Sequence, residues 1–298
     1  MTMTTHDLRL DSQLNLDHVE HVVSIVSSSR AGSSLLKHTM ALHSDLSTLA
    51  GEEEPYYKLA HNGYPWHTCD VFHSLNGLDY VRLLMANELH NHQQQHNRAW
   101  IQSQTVEEPP FVQPKQCRLT PTLLLKTPQN IYRRGVLEEL FPGRRISYIY
   151  LTRGFAQVVN GLIDGWLSDD YKARKTEQGW WKFDMPPGWA FSHLYQRCYH
   201  QWRMANLFGL GEYDDASYRL KFEDFTRDTD SVCQRLYRLL GLPPHSVPPL
   251  EDLPHIMATS APKPHRWQGR AYLAKLLGSR AEPLMTNLGY SMDQSTWT

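Results

Sequence analysis

Residues 22–43 read VVSIVSSSRAGSSLLKHTMALH, a β-branched apolar run, a turn of small residues, and then apolar positions at helical spacing. Few features restrict a fold more tightly. Such a run, bounded by serines, predicts a buried strand. Leu35, Leu36, Met40 and Leu42 predict a helix beginning at Ser33. A strand that feeds a helix through a small-residue turn points several backbone N–H groups at one spot, where the helix dipole adds partial positive charge. Small side chains let a ligand come close to that backbone. The turn is therefore a candidate cradle for a phosphate-like oxyanion.

The rest of the chain extends the same pattern. TLLLKTP predicts a strand ending at Pro128, and RRISYIYLTR (144–153) another, followed by an amphipathic helix from Ala156 to Leu167. In YRLKFEDF (218–225), Tyr218, Leu220 and Phe222 alternate with Arg219 and Lys221, the period of a half-buried strand. Val232, Leu236, Leu239 and Leu240 then mark a helix stopped at Gly241. Interleaved strands and helices predict an α/β fold, a three-layer domain with a parallel central sheet flanked by helices. Residues 1–20 are expected to form a loose arm and 21–298 a single domain. Residues 55–115, rich in His, Gln, Tyr and Pro, are expected to be an insertion shaping a substrate pocket.

Charge and cysteine content narrow the function classes. With a net charge of −1, the 298-residue chain has no global basic field to draw nucleic acid or anionic membrane. Any anion site must be local. The four cysteines form no CxxC pair, which fits free thiols in a reducing cytosol. The polar N-terminus lacks the apolar core of a secretory leader, and no run approaches the roughly 20 apolar residues of a membrane span. A cytoplasmic location is expected.

Against the nucleotide-binding pattern G-x-x-x-x-G-K-[ST], the turn reads Ser27 to Ser34. The second glycine, Gly32, and the final hydroxyl are present. Ser33 replaces the lysine, and a cation stands earlier, at Arg30. A metal-dependent kinase wants that lysine, with a carboxylate on magnesium. The departure suggests a phosphate-like group handled without a metal, and no metal site is expected.

SRAGSSLL resembles the 5′-phosphosulfate loop of sulfotransferases that use 3′-phosphoadenosine 5′-phosphosulfate (PAPS), in the R-S-G-T-T-L form of tyrosylprotein sulfotransferases and their bacterial relatives. SYIYLTRGFAQVVNGLIDGW is similar to the family's 3′-phosphate segment. YRLKFEDFTRDTDSVCQRLYRLLGLP, KPHRWQGR and LMTNLGY resemble its later elements, all in the family's order. The resemblance implies a P-loop-like α/β fold, PAPS as co-substrate, and in-line transfer of a sulfuryl group to a hydroxyl or an amine.

Carried over residue by residue, the resemblance puts the 5′-phosphosulfate on Arg30, Ala31, Gly32, Ser33, Ser34 and Leu35. Arg153 would bind the 3′-phosphate with Asn160 or Gly161. Gly161 stands where the family has a serine, and Gly154 where it has an aspartate. Arg266 would reach the same phosphate, with Gly269 and Arg270 completing the loop. Trp267 is read either as a wall beside the nucleotide or as core, and Tyr218 as an adenine contact or as core. AGEEEPYY resembles a G-E-E-T stretch whose second glutamate is the base, which selects Glu53, with Glu52 the lesser alternative. A glutamate tuned by burial and like-charged neighbours suits that work. LLLKTPQN resembles a K-T/D-P motif that puts Lys126 on the departing bridging oxygen, with Arg30 assisting.

His61, His67 and His73 are fallback bases, and the histidines of 90–97 are read as a solvated loop. The acceptor is expected to be a small molecule or a peptide, held by the aromatic stretches 55–115 and 166–200. Neither nucleic acid nor membrane is expected as a partner, and a homodimer is left open. Two rival readings are a P-loop kinase-like phosphotransferase and a catalytically silent nucleotide-binding protein.

Overall fold

A computed structural model describes residues 15–49, 51–53, 75–90, 119–167, 192–213, 217–253 and 265–293. Among the described residues, five strands form the sheet: β1 (His21–Ser27), β2 (Leu46–Thr48), β3 (Thr122–Lys126), β4 (Arg145–Thr152) and β5 (Ser217–Lys221). All pairings are parallel, in the order β2-β3-β1-β4-β5. The helices among the described residues are α1 (Ser33–Met40), α2 (Leu75–His90), α3 (Gly135–Leu140), α4 (Phe155–Leu167), α5 (Leu194–Tyr213), α6 (Phe222–Arg227), α7 (Thr229–Leu240) and α8 (Tyr272–Asn287). Short 3₁₀ turns occupy Pro128–Tyr132, Leu250–Asp252 and Arg266–Arg270.

The three layers follow from side-chain alternation in the strands. Val22 and Val26 of β1, Leu123 and Leu125 of β3, and Tyr148 and Tyr150 of β4 join one core beneath α2, α3, α4, α5 and α8. Val23 and Ile25, Leu124, and Ile149 and Leu151 point the other way, into a core shared with α1 and α7. Both sheet faces are covered, which is why the central strands read as nearly continuous apolar runs.

Two expectations are corrected. Residues 15–20 of the expected loose arm are tied down: Leu16 and Val19 are buried, and the Glu20 carbonyl accepts from the Arg145 N–H at 3.1 Å. Residues 1–14 of the arm, and 55–74 and 91–115 of the expected insertion, lie outside the described residues. The strand read over 218–225 ends at Lys221, and FEDF opens α6 with Glu223 and Asp224 in its first turn, where the dipole favours acids. The alternation continued by one residue into a helix. α7 is capped as its sequence implies. Asp228 accepts from the Ser231 N–H at 3.1 Å, and Gly241 ends the helix at φ 78°.

β1 leads to β2 on one side, and β4 leads to β5 on the other. Their carboxyl ends, adjacent through the Ser27–Leu151 register, therefore frame the point where the connections diverge. Ligands of open α/β sheets bind in that crevice.

Candidate active site

The turn after β1 is wound in left-handed conformations, with Arg30 at φ 67° and Gly32 at φ 98°. The Ala31 N–H closes it on the Ser28 carbonyl at 3.2 Å. Gly32 is required twice over. Its φ suits glycine, and an added Cβ would lie 2.1 Å from Cε2 of Phe222. Gly32 caps α1 without a side chain, and the first turn of α1 holds no acid. The first-turn N–H groups have no acceptor within the helix.

Arg153 leaves the end of β4 beside this turn. Its Nη1 donates to the Arg30 carbonyl at 3.4 Å, and its guanidinium lies over the Phe222 ring at 4.3 Å. Trp202 Nε1 holds the Arg153 carbonyl at 3.1 Å. Burial pulls the Arg153 pKa below its ordinary value, and the charges of Arg30 and Arg266 pull the same way, against Glu223 and Tyr290. Three arginines thus share one field. Glu223 answers them: it accepts from the Gly154 N–H at 3.2 Å and from the Tyr290 hydroxyl at 2.9 Å.

A second cluster sits on α4. Asp164 is bridged by Arg266 Nη2 and Arg270 Nη1, each at 2.6 Å. Asn160 donates to Asp164 at 3.3 Å and accepts from Arg270. The Asn160 amide is therefore committed to its neighbours. Gly161 passes beneath Arg30, whose Cβ would lie 3.5 Å from a Cβ placed there, ordinary contact that a serine would tolerate.

The third group gathers where β3 ends. Lys126 is 3% exposed and ion-paired with Glu52, whose other oxygen accepts from Thr127 Oγ1 at 3.2 Å. Glu53 turns inward. One of its oxygens accepts from the Lys126 N–H at 3.2 Å and the other from Asn130 Nδ2 at 2.8 Å. Burial, with Glu52 adding, pushes its pKa up to about 7, against its own backbone N–H and the charges of Lys37 and Lys126. The two adjacent glutamates have different surroundings: Glu53 is wholly enclosed, whereas Glu52 keeps 13% of its side chain exposed.

The sequence-selected residues divide accordingly. Arg30, Gly32 and Arg153 meet at the turn, with Ser33, Ser34 and Leu35 opening α1. Arg266 joins them through the field at Arg153. Asn160 and Arg270 belong to the Asp164 network. Trp267 is 3% exposed and packs in the larger core. Gly269 is exposed, and a Cβ there would meet nothing. Tyr218 lies three residues before the end of β5, roughly 10 Å from that edge, packed against the smaller core with Arg235 over its ring. His61, His67, His73 and the aromatic stretch 179–191 lie outside the described residues. Phe222, Glu223, Asp164, Asn130 and Tyr290 were not singled out by sequence. Asp164 had a readable signal, being one helical turn from Asn160. Phe222 had none, since its role depends on a strand-to-helix change at Lys221.

A nucleotide bearing several anionic groups fits this arrangement. Among the described residues, Ser29 Oγ and Arg153 Nε are buried without a protein partner. Both are donors that an oxyanion would satisfy. No group of His, Cys, Asp and Glu among the described residues could hold a metal ion, and no described helix is long and apolar enough to cross a membrane.

The model of a family described as "Sulfotransferase family" matches residues 23–246. Similar solved structures include the sulfotransferase domain from the curacin biosynthetic pathway (17% identity, 91% of this chain and 98% of that one, TM-score 0.48). The sulfotransferase domain of the Synechococcus PCC 7002 olefin synthase has 18% identity, 91% and 95% coverage and a TM-score of 0.45. A sulfotransferase from Alicyclobacillus acidocaldarius has 13% identity, 92% and 97% coverage and a TM-score of 0.47. No curated protein matches the chain in sequence.

Proposed function

Because the chain belongs to the sulfotransferase family, we propose that it transfers the sulfuryl group of PAPS to a hydroxyl or amine of a small molecule or peptide. The observation that carries this reading is the convergence of Arg30, Arg153 and Arg266 beside a left-handed turn, with a Lys126–Glu52 pair at the neighbouring strand end. When bound, the donor supplies an activated sulfuryl group on an anionic phosphate. The first-turn N–H groups of α1 and the Arg30 guanidinium would hold its 5′ end. Arg153 and Arg266 would take the 3′-phosphate. Lys126 would carry positive charge to the departing oxygen without a metal.

Glu52, rather than Glu53, is our candidate for the proton acceptor. Its side chain lies beside the Lys126 ammonium and remains 13% exposed, whereas Glu53 is wholly enclosed, held by the Lys126 N–H and Asn130 in the interior. A base must reach the proton it removes. The aromatic stretches 55–115 and 166–200 are proposed to line the acceptor pocket, and a cytoplasmic location fits the reading.

The reading is tested by thermal shift and turnover. Saturating 3′-phosphoadenosine 5′-phosphate at 100 times its Kd is expected to stabilise the fold by about 2.7 kcal/mol, with ATP and ADP giving less. Purified protein with PAPS and a panel of phenols, tyrosyl peptides and amines is expected to release 3′-phosphoadenosine 5′-phosphate. Equal shifts with ATP, or binding without turnover on any acceptor, would overturn it.

A further inference from the structure

Lys37 is a buried ionisable group that this mechanism leaves unused. It lies on α1, 2% exposed, four residues after Ser33 and so about 6 Å further along the helix. Its ammonium donates to the Leu49 carbonyl at 2.6 Å and to the Gly51 carbonyl. Gly51 immediately precedes Glu52, and Leu49 lies three residues before it. The Lys37 charge also acts on Glu53 and on His38, which Lys126 approaches as well.

Enclosing an ammonium is costly unless it is paired and hydrogen-bonded. An apolar residue would fill the same space without that penalty, and an exposed turn could satisfy its carbonyls with water. What Lys37 adds is a mechanical link. The helix whose first turn faces the anion site grips, one turn later, the segment carrying Glu52. Glu52 in turn reaches Lys126 on β3, so three separate elements keep one spacing.

We propose that Lys37 is a positioning residue, fastening the Gly51–Glu53 turn to α1 so that Glu52 stands beside Lys126 in register with the anion-facing turn. Glu53 is its buried counter-charge, bonded to the Lys126 N–H and to Asn130. The role in turnover rests on the sulfotransfer reading; the seating of the turn does not.

The test uses the full chain with Lys37→Met. Turnover of PAPS with whichever acceptor the panel identifies is expected to fall at least 30-fold in kcat, while the Kd of 3′-phosphoadenosine 5′-phosphate stays within threefold. Amide exchange over 49–53 is expected to quicken at least tenfold, with β1 and the first turn of α1 unchanged. A kcat within threefold of wild type, or a Kd that weakens as much as kcat falls, overturns the proposal, as does unchanged exchange over 49–53. If Lys37→Met does not fold, Lys37→Met with Glu53→Gln removes both charges. That double variant is expected to keep the low kcat and the fast exchange, and recovery of wild-type values refutes the link. Should wild-type protein bind ATP as well as 3′-phosphoadenosine 5′-phosphate, the sulfotransfer reading fails and the exchange measurement alone decides the seating.

Discussion

Gly32→Ala strikes the site at its tightest point. The substitution has two separable costs. At φ 98° an alanine is strained by roughly 1–2 kcal/mol. Its Cβ would also stand 2.1 Å from the Phe222 ring, whereas carbon atoms rest about 3.5–4.0 Å apart. The ring cannot simply swing away, because Arg153 lies on it at 4.3 Å and Phe225 packs at 6.1 Å. Overpacking of this kind costs about 1–3 kcal/mol, giving a total of about 2–5 kcal/mol. The two parts separate in a cycle with Phe222→Ala. In that background the overlap is gone and only the dihedral strain of about 1–2 kcal/mol remains, so the coupling is expected to be about 1–3 kcal/mol. Urea unfolding of the four proteins measures it. Calorimetry with 3′-phosphoadenosine 5′-phosphate should show weakened binding in Gly32→Ala, because displacing the ring moves Arg153. Equal costs of Gly32→Ala in both backgrounds would refute the steric argument.

Further expectations concern the chemistry and the pH response. Glu52→Gln should lower kcat by roughly 10²-fold or more, and Glu53→Gln by less than tenfold; the opposite ranking in steady-state turnover would return the base to Glu53. Lys126→Met should cut kcat by about 10²–10³-fold with little change in nucleotide Kd; a change in Kd alone would make it a binding residue. Arg153→Ala should weaken the bisphosphate nucleotide by roughly 10–100-fold, the worth of a hydrogen bond to a charged group, as read by calorimetry. For pH, burial lowers His21 to about 4 and His38 to about 3, while Glu53 rises to about 7. Between pH 4.5 and 6.5 the unfolded chain binds two more protons at the histidines and one fewer at Glu53, a net of one. Stability should therefore increase with pH by about 1.4 kcal/mol per unit in that window, then decline slightly as Glu53 ionises near 7. Urea midpoints from pH 4.5 to 8 test this, and a flat profile below 6.5 refutes it.

Local chemistry along the chain determined the scaffold. The β-branched run before the serines, the helical spacing after Ser33, the lysine at the mouth of β3 and the Gly241 stop each follow from preferences spanning a few residues. A parallel α/β sheet follows from their alternation, and so does the presence of a small-residue turn ahead of α1 with Arg30 in it. Tertiary structure decided the rest, because the remaining choices depend on groups far apart in sequence. Residues 52 and 53 are both glutamates, and nothing local distinguishes them. Only the approach of Lys126 and Asn130, more than 70 residues away, turns Glu53 inward and leaves Glu52 with the ammonium. Gly32 needs to be glycine partly because Phe222 arrives from β5. Asn160 looked free to bind a phosphate until Arg270 came to lie beside it. A strand or a helix is a short-range equilibrium, whereas the burial and charge that tune a reactive group come from whichever side chains the sheet order brings alongside it.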